Sequence, residues 1–360
     1  MRALLTLSAS TIATESQNQP RTAMPDTAGG PGSLVAAYDG IVCDLDGVVY
    51  RGPAAVPGAV EALGELAVPI VYATNNASRP PAAVAAHLRE LGLATEAGAV
   101  VNSSMAGAAE IARRVPPGSR VLAIGGVGVA EALAAVGLDP VGDATEPVAA
   151  VLQGYGPDVR ATDLAEAAYA VGGGAQWVAT NTDLTLPTDR GIAPGNGSLV
   201  HCVALATGQQ PFVVGKPEAP LYLISCEVLG LAPARVLAVG DRLETDILGA
   251  YAAGMDSVLV LTGVHGARDA ALAPVGERPT YLVGDLGELS MPYLGVVADG
   301  DGFRCGSIHV RLDGERLIMA GDDDPLPVMR AGMAAIWAAA DAGAAPETLR
   351  ELAEALPDRM

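Results

Sequence analysis

The sequence predicts an α/β fold built on parallel sheets with helices on both faces. Three observations carry this. From Tyr38 onward, short apolar runs ending in Gly, Asp or Asn alternate with Ala-rich stretches of helical length, and strands separated by helices pair in parallel. Several helical stretches stop at a glycine, as at Gly92, Gly137, Gly172, Gly230 and Gly254, the residue that takes the left-handed turn ending a helix. The 360 residues are 50% hydrophobic but only 4% aromatic, with 44 Gly and 26 Pro. That is too much Gly and Pro for a helical bundle, and collagen's period is missing. Ala, Val and Leu must therefore fill the interior.

In chain order, the expected strands are Gly40–Leu45, Pro69–Thr74, Arg120–Gly125, Ala149–Gln153, Gln176–Thr180, Phe212–Val214, Arg235–Val239 and Ser257–Leu261. The expected helices are Gly58–Leu66, Pro80–Leu91, Ser104–Arg114, Val129–Val136, Asp163–Val171, Ser198–Thr207, Pro220–Leu229 and Asp246–Ala253. Residues 1–35 are expected to be disordered, since Ser8 to Gly32 is polar and rich in Gly and Pro. The tail changes character. Tyr293–Ala298, Ser307–Leu312 and Arg316–Met319 read as strands joined by turns, followed by helices Pro327–Ala340 and Pro346–Ala355.

Composition also excludes functions. Lys+Arg is 21 against Asp+Glu 41, a net charge of −20, so no nucleic-acid partner is expected, because phosphate backbones need a basic face. A small phosphorylated metabolite needs only one Lys, backbone N–H groups and a metal. No apolar run reaches the ~18–20 residues of a membrane span. The apolar patch at the start is shorter than the ~7–15 residues of a secretory signal. Cys43, Cys202, Cys226 and Cys305 form no C-x-x-C pair, which suggests neither zinc nor disulfides. Free thiols fit a reducing compartment, and the expected location is cytoplasmic.

Open α/β sheets place their sites at the carboxyl ends of strands, and four such ends carry polar chemistry. The first reads Asp44-Leu45-Asp46-Gly47-Val48-Val49-Tyr50. Carboxylates at i and i+2 on extended backbone point to one side and repel unless a cation relieves them. Alone, D-x-D-G is equally a turn. The second reads Thr74-Asn75-Asn76, a hydroxyl, two amides and backbone donors suited to an oxyanion, or simply a cap for the next helix. The third, Gly215-Lys216-Pro217, sets a Lys after an apolar run in a chain sparing of Lys; in isolation it could be a solvated loop residue. The fourth, Gly240-Asp241-Arg242-Leu243-Glu244-Thr245-Asp246, ends a strand in Gly-Asp and starts a helix with a second Asp. Hard cations such as Mg²⁺ take oxygen ligands of this kind, although Asp246 alone could be a helix N-terminal charge.

In combination and in this order, D-x-D-G-V-x-Y, T-N-N, G-K-P and G-D-R-x-x-x-D resemble the four motifs of the haloacid-dehalogenase-like (HAD) phosphohydrolases, with no departure at any motif position. The resemblance implies Asp44 as nucleophile, Asp46 as general acid/base, Thr74 with Asn75 and Asn76 as the phosphate-binding segment, and Lys216 as the cation steadying phosphate and nucleophile. It implies Mg²⁺ held by Asp44, Asp241 and the backbone carbonyl of Asp46, with Asp246 in support.

From Asn76 to Lys216 is 140 residues, whereas one crossover and strand needs only ~30. The surplus is an inserted domain with strands of its own. In the resembling superfamily such an insertion is the α/β C2 cap, and Thr180–Asp183 with Pro194–Ser198 is similar to the cap-to-core return of class IIA. The architecture expected is thus a Rossmann-like HAD core with a parallel sheet (residues 36–105 and 207–288), an inserted α/β C2 cap (106–206) and a small α+β C-terminal appendage (289–360). Asp183 and Asn196 are the candidates for substrate specificity. A homodimer through the cap is left open.

The activity implied is a Mg²⁺-dependent phosphatase working through an aspartyl-phosphate. Glycerol 3-phosphate is the first choice of substrate; phosphoglycolate, pyridoxal phosphate and a nucleotide monophosphate are alternatives. A true dehalogenase needs neither metal nor a second motif Asp, so Asp46 and Asp241 oppose it. A non-catalytic sugar-phosphate sensor is opposed by the complete set of catalytic positions. Gly126-Val127-Gly128 opens a helix after a strand, but Glu131 replaces the third glycine of a dinucleotide fingerprint, and the pair is read as a tight turn.

Overall fold

The computed structural model describes residues 32–360 except 189 and 323. Most of the segment expected to be disordered, up to residue 31, lies outside the described residues. At residues 34 and 35 the expectation fails: Leu34–Ala37 form a 3-10 turn with Leu34 and Val35 buried.

Six parallel strands form the core sheet, in the spatial order Tyr281–Val283, Asp256–Val260, Val236–Gly240, Gly40–Cys43, Ile70–Thr74, Val100–Asn102. The central strands, GIVC and VLAVG, are buried along their whole length, as a sheet covered on both faces requires. The chain runs outward from Gly40–Cys43 in one direction, returns, and runs outward in the other. The reversal lies between Gly40–Cys43 and Val236–Gly240, which pair directly.

A second parallel sheet, Phe212–Val213, Gln176–Ala179, Ala150–Gln153, Arg120–Ile124, Asp139–Val141, forms the cap. The expected boundaries at 106 and 206 cut through helices Ser103–Arg114 and Asn196–Thr207, and Phe212–Val213 still pairs with the cap sheet. Helix Ser103–Arg114 joins the two units. Its Ala106, Ala108 and Ile111 belong to one apolar cluster with Val42 and Val71 of the core and Leu152 and Val178 of the cap.

The appendage is a four-stranded antiparallel sheet, Val297–Asp299, Gly302–Cys305, Ile308–Asp313 and Arg316–Ala320, with helices Pro325–Asp341 and Pro346–Glu354. Helix Pro325–Asp341 is buried from Leu326 to Trp337. Its Met329, Ile336 and Trp337 share a cluster with Ile41, Leu237 and Leu282 of the core sheet, and Trp337 Nε1 donates to the Ala270 carbonyl at 2.9 Å. The appendage is thus both a module and a cover for one side of the core.

Candidate active site

In open α/β sheets the crevice for ligands lies beyond the strand ends where the order reverses. Here those ends are occupied by Asp44 and Asp241, each following one of the two central strands. Asp44 continues the ladder, its N–H donating to the Val239 carbonyl at 2.8 Å. After Asp46 the chain turns at Gly47, whose φ of +90° and contact with Asp241 leave no room for a side chain. Asp46 itself opens to solvent at the mouth.

The side chains converge. Carboxylate oxygens of Asp44, Asp241 and Asp246 lie within 4.8 Å of one another, all buried. Lys216, the only lysine in the sequence, is 4% exposed. Its Nζ pairs with Asp44 and with Asp246, the latter at 2.7 Å. Asp246 lies in a π-turn, Leu243–Ile247, rather than at the start of the α-helix that the sequence predicts. Its second oxygen accepts the N–H groups of Asp241 (3.2 Å) and Arg242 (3.1 Å), so it braces the motif and has little left for a ligand. Asp241 Oδ2 accepts the Val264 N–H at 2.7 Å. Among the described residues, Asp241 Oδ1 is buried without a hydrogen-bond partner.

That orphan oxygen tests whether a divalent cation fits. A buried carboxylate oxygen with no donor is costly, and three clustered carboxylates against one ammonium leave negative charge uncompensated. The electrostatics agree. Burial, then Asp246, pushes the Asp241 carboxyl up to about 6. Burial raises Asp44 well above the usual range, against Lys216 and reinforced by Asp246 and Asp241. Burial alone would lower Lys216, but Asp246 and Asp44 hold it well above its ordinary value. A hard cation beside Asp44 and Asp241 would relieve all of this, and the donor set suits Mg²⁺.

The T-N-N segment divides its labour differently from expectation. Thr74 Oγ1 accepts the Asn76 N–H at 3.1 Å, which leaves the Thr74 hydroxyl hydrogen to donate outward. The Asn75 side chain is spent on the scaffold. It donates to the Lys216 carbonyl (3.0 Å) and Asp183 (3.3 Å), and accepts the Lys216 N–H (2.8 Å). Its own carbonyl accepts from Asn181 Nδ2 (2.8 Å) and Ser103 Oγ (2.7 Å). Asn75 therefore knots core, cap return and lysine loop together instead of offering its amide to phosphate. Asn76 Oδ1 accepts from the Ser78 N–H and hydroxyl, a local turn.

Of the two specificity candidates, half-buried Asp183 is held toward the core by Asn75. Asn196 is not at the mouth: it is 2% exposed, and Nδ2 donates to the Asn181 carbonyl at 2.8 Å inside the cap. Cys43 points away into the core cluster. Sequence reasoning placed Asn181 only within the cap-to-core return, and missed Ser103 and the loop Gly263–His265 against Asp241. Polar residues scattered over this distance carry no shared pattern.

Residues 41–139 match the family described as haloacid dehalogenase-like hydrolase, and residues 213–289 that described as HAD-hydrolase-like. The chain belongs to the haloacid dehalogenase-like hydrolases. It is similar to D-glycerol 3-phosphate phosphatase of Mycobacterium tuberculosis, with 43% identity over 312 residues, 85% of this chain and 88% of that protein. A solved structure of glycerol phosphate phosphatase from the same organism, in complex with magnesium, superposes with a TM-score of 0.79 at 41% identity, covering 85% of this chain and 92% of that chain. Acid sugar phosphatase of Staphylococcus aureus is 36% identical over 254 residues, 70% of this chain but 96% of that protein. A relative can thus be nearly complete without matching almost a third of this chain.

Proposed function

We propose that this chain is a Mg²⁺-dependent phosphatase that hydrolyses glycerol 3-phosphate to glycerol and phosphate. The observation that carries the reading is the buried Asp44–Asp241–Asp246 cluster around one lysine at the switch point of the sheet, with one carboxylate oxygen unpartnered. The M. tuberculosis relative, named for this substrate, supports it.

Asp44, Asp241 and the Asp46 carbonyl would hold Mg²⁺. When bound, the ion neutralises charge on the transferring phosphoryl group. Asp44 attacks phosphorus; a bond forms between its carboxylate oxygen and phosphorus as the bond to the glycerol oxygen breaks. Asp46, free to reach the mouth, protonates that leaving oxygen. It then takes a proton from the water that attacks the aspartyl-phosphate, releasing phosphate and restoring Asp44. Lys216 holds Asp44 in line and offsets charge on the phosphoryl oxygens. The Thr74 hydroxyl donates to one of them.

Asp183 bears on the choice of substrate. An acidic side chain at the cap–core junction accepts hydrogen bonds from a polyol and repels a second anionic group. Glycerol 3-phosphate suits it better than phosphoglycolate. We also read the protein as cytoplasmic. Cys43, Cys202 and Cys226 are free thiols, and no helix among the described residues is long and apolar enough to cross a membrane. Exposed Leu184, Ile192 and Leu205 on the cap would suit a homodimer through it.

The test is phosphate release from a panel of phosphomonoesters with Mg²⁺ and with EDTA. Glycerol 3-phosphate should rank above phosphoglycolate, and EDTA should abolish turnover. Turnover of no member, or turnover indifferent to EDTA, would overturn the reading.

A further inference from the structure

We propose that Arg359, at the far end of the appendage, is a positioning residue for the Asp241 carboxylate. The inference rests on Asp241 being a metal ligand. After helix Pro346–Glu354 the chain returns to the core, and the Arg359 guanidinium lands on the loop that follows strand Asp256–Val260. Nη1 donates to the carbonyls of Gly263 (2.7 Å) and Leu261 (3.3 Å), and Nη2 to that of Val264 (2.6 Å).

The other side of the same loop faces the site. The Val264 N–H donates to Asp241 Oδ2 at 2.7 Å, and the His265 N–H to the Asp241 carbonyl at 3.1 Å. These are not unrelated contacts. The Gly263 carbonyl and the Val264 N–H belong to one peptide group; the Val264 carbonyl and the His265 N–H belong to the next. Two consecutive peptides are therefore clamped between a guanidinium and an aspartate. Each passes the cation's pull through its C=O to its N–H, the arrangement in which hydrogen bonds strengthen one another.

The fit is close. A Cβ on Gly263 would overlap the Asp241 side chain, so the backbone lies flush against it. Thr262 Oγ1 reaches the Gly47 carbonyl at 3.4 Å, tying the loop to the turn after Asp46. Asp358 fastens the downstream end, its carbonyl accepting from the Ala267 N–H (3.0 Å) and its carboxylate from the Arg268 N–H (3.1 Å). With Oδ2 pinned in this way, the Asp241 carboxylate cannot rotate freely, and Oδ1 is left buried and, among the described residues, without a donor. Only a planar fork reaches three neighbouring carbonyls at once; a lysine presents a single point charge.

The experiment is calorimetric titration of Mg²⁺ into the full-length protein, without substrate, alongside thermal unfolding in metal-free buffer. Arg359→Ala should bind Mg²⁺ about tenfold more weakly, the low end of what losing an outer partner of a metal ligand costs. Saturating Mg²⁺ should restore most of kcat. Arg359→Lys should fall between it and the wild type, and decides the matter if the alanine variant does not fold. Arg268→Ala is the control. Arg268 Nε holds the same appendage end through the Leu356 carbonyl (2.9 Å) but does not touch the Gly263–His265 peptides. It should lower the unfolding temperature and leave Mg²⁺ affinity unchanged. Wild-type affinity in Arg359→Ala, or equal weakening in Arg268→Ala, would overturn the positioning role. A wild type that bound no Mg²⁺ would instead overturn the metal reading beneath it.

Discussion

Lys216 and Arg330 are both 4% exposed, and their surroundings differ in kind. Arg330, in the appendage, donates to the Leu282 carbonyl twice (3.0 and 2.9 Å), pairs with Glu288 at 3.0 Å and lies 4.0 Å over the Tyr293 ring. One cation meets one carboxylate, and carbonyls take up further donors. Lys216 pairs with two carboxylates while a third stands beside them with an oxygen unsatisfied. Buried charge contributes to stability only when it is balanced and hydrogen-bonded. The appendage follows that rule and the core breaks it. A folded chain keeps such an imbalance where a ligand completes it.

The strongest way to break the contrast is to remove the nucleophile. Asp44→Asn should cut turnover by roughly 10⁴–10⁶-fold, the scale seen when a nucleophile is lost, while circular dichroism shows an intact fold. Activity within tenfold of wild type would mean the nucleophile is elsewhere. Asp46→Asn should cost roughly 10²–10⁴-fold on glycerol 3-phosphate and much less on 4-nitrophenyl phosphate, whose leaving group needs no proton. Equal losses on both substrates would remove the acid role.

Arg330→Met inverts the experiment. It strands Glu288 and should lower unfolding stability by about 3–5 kcal/mol, measured by denaturant titration. Specific activity of the folded fraction and its Mg²⁺ dependence should not move.

The smallest effect sharpens the electrostatic side. With its carboxyl near 6, Asp241 must lose a proton to take a cation. Apparent Mg²⁺ affinity should therefore fall as pH drops through about 6, by at most about tenfold per unit. Without metal the sign reverses. The folded form holds this proton more tightly than the unfolded chain, so the group's contribution to stability is greatest below about pH 4 and is lost as pH rises to about 6. Flat Mg²⁺ affinity between pH 5 and 7 would argue against Asp241 as a ligand.

The sequence made the central strands and their terminal residues legible because buried parallel strands leave continuous apolar runs, and motif residues sit at their ends. Three edge strands were not legible. Val100–Asn102, Asp139–Val141 and Tyr281–Val283 are three residues each, too short for a pattern. Gly302–Cys305, a fourth strand of the appendage, follows an expected turn at Asp299–Gly302 and has too few apolar residues to stand out. The hairpin Thr185–Thr188 with Gly191–Pro194 was hidden by its Gly and Pro. At the site, residue type and order pointed to Asp44, Lys216 and Asp241, whose side chains the structure brings together, but hydrogen-bond direction is a property of three dimensions. The Asn75 side chain, expected near phosphate, is spent on the lysine loop and Asp183. Asn196 looked like a pocket residue and is buried in the cap. Arg359, nearly a hundred residues from its partners, had no local signal at all.

The central claim is that Asp44 carries the phosphoryl group in a reaction that requires Mg²⁺. The direct test is to mix the enzyme with glycerol 3-phosphate and Mg²⁺, quench in acid within one turnover, digest, and locate added phosphate by mass spectrometry. The account predicts phosphate on Asp44, absent with EDTA and absent in Asp44→Asn. Turnover with no phosphorylated peptide, or phosphate on any other residue, would contradict it.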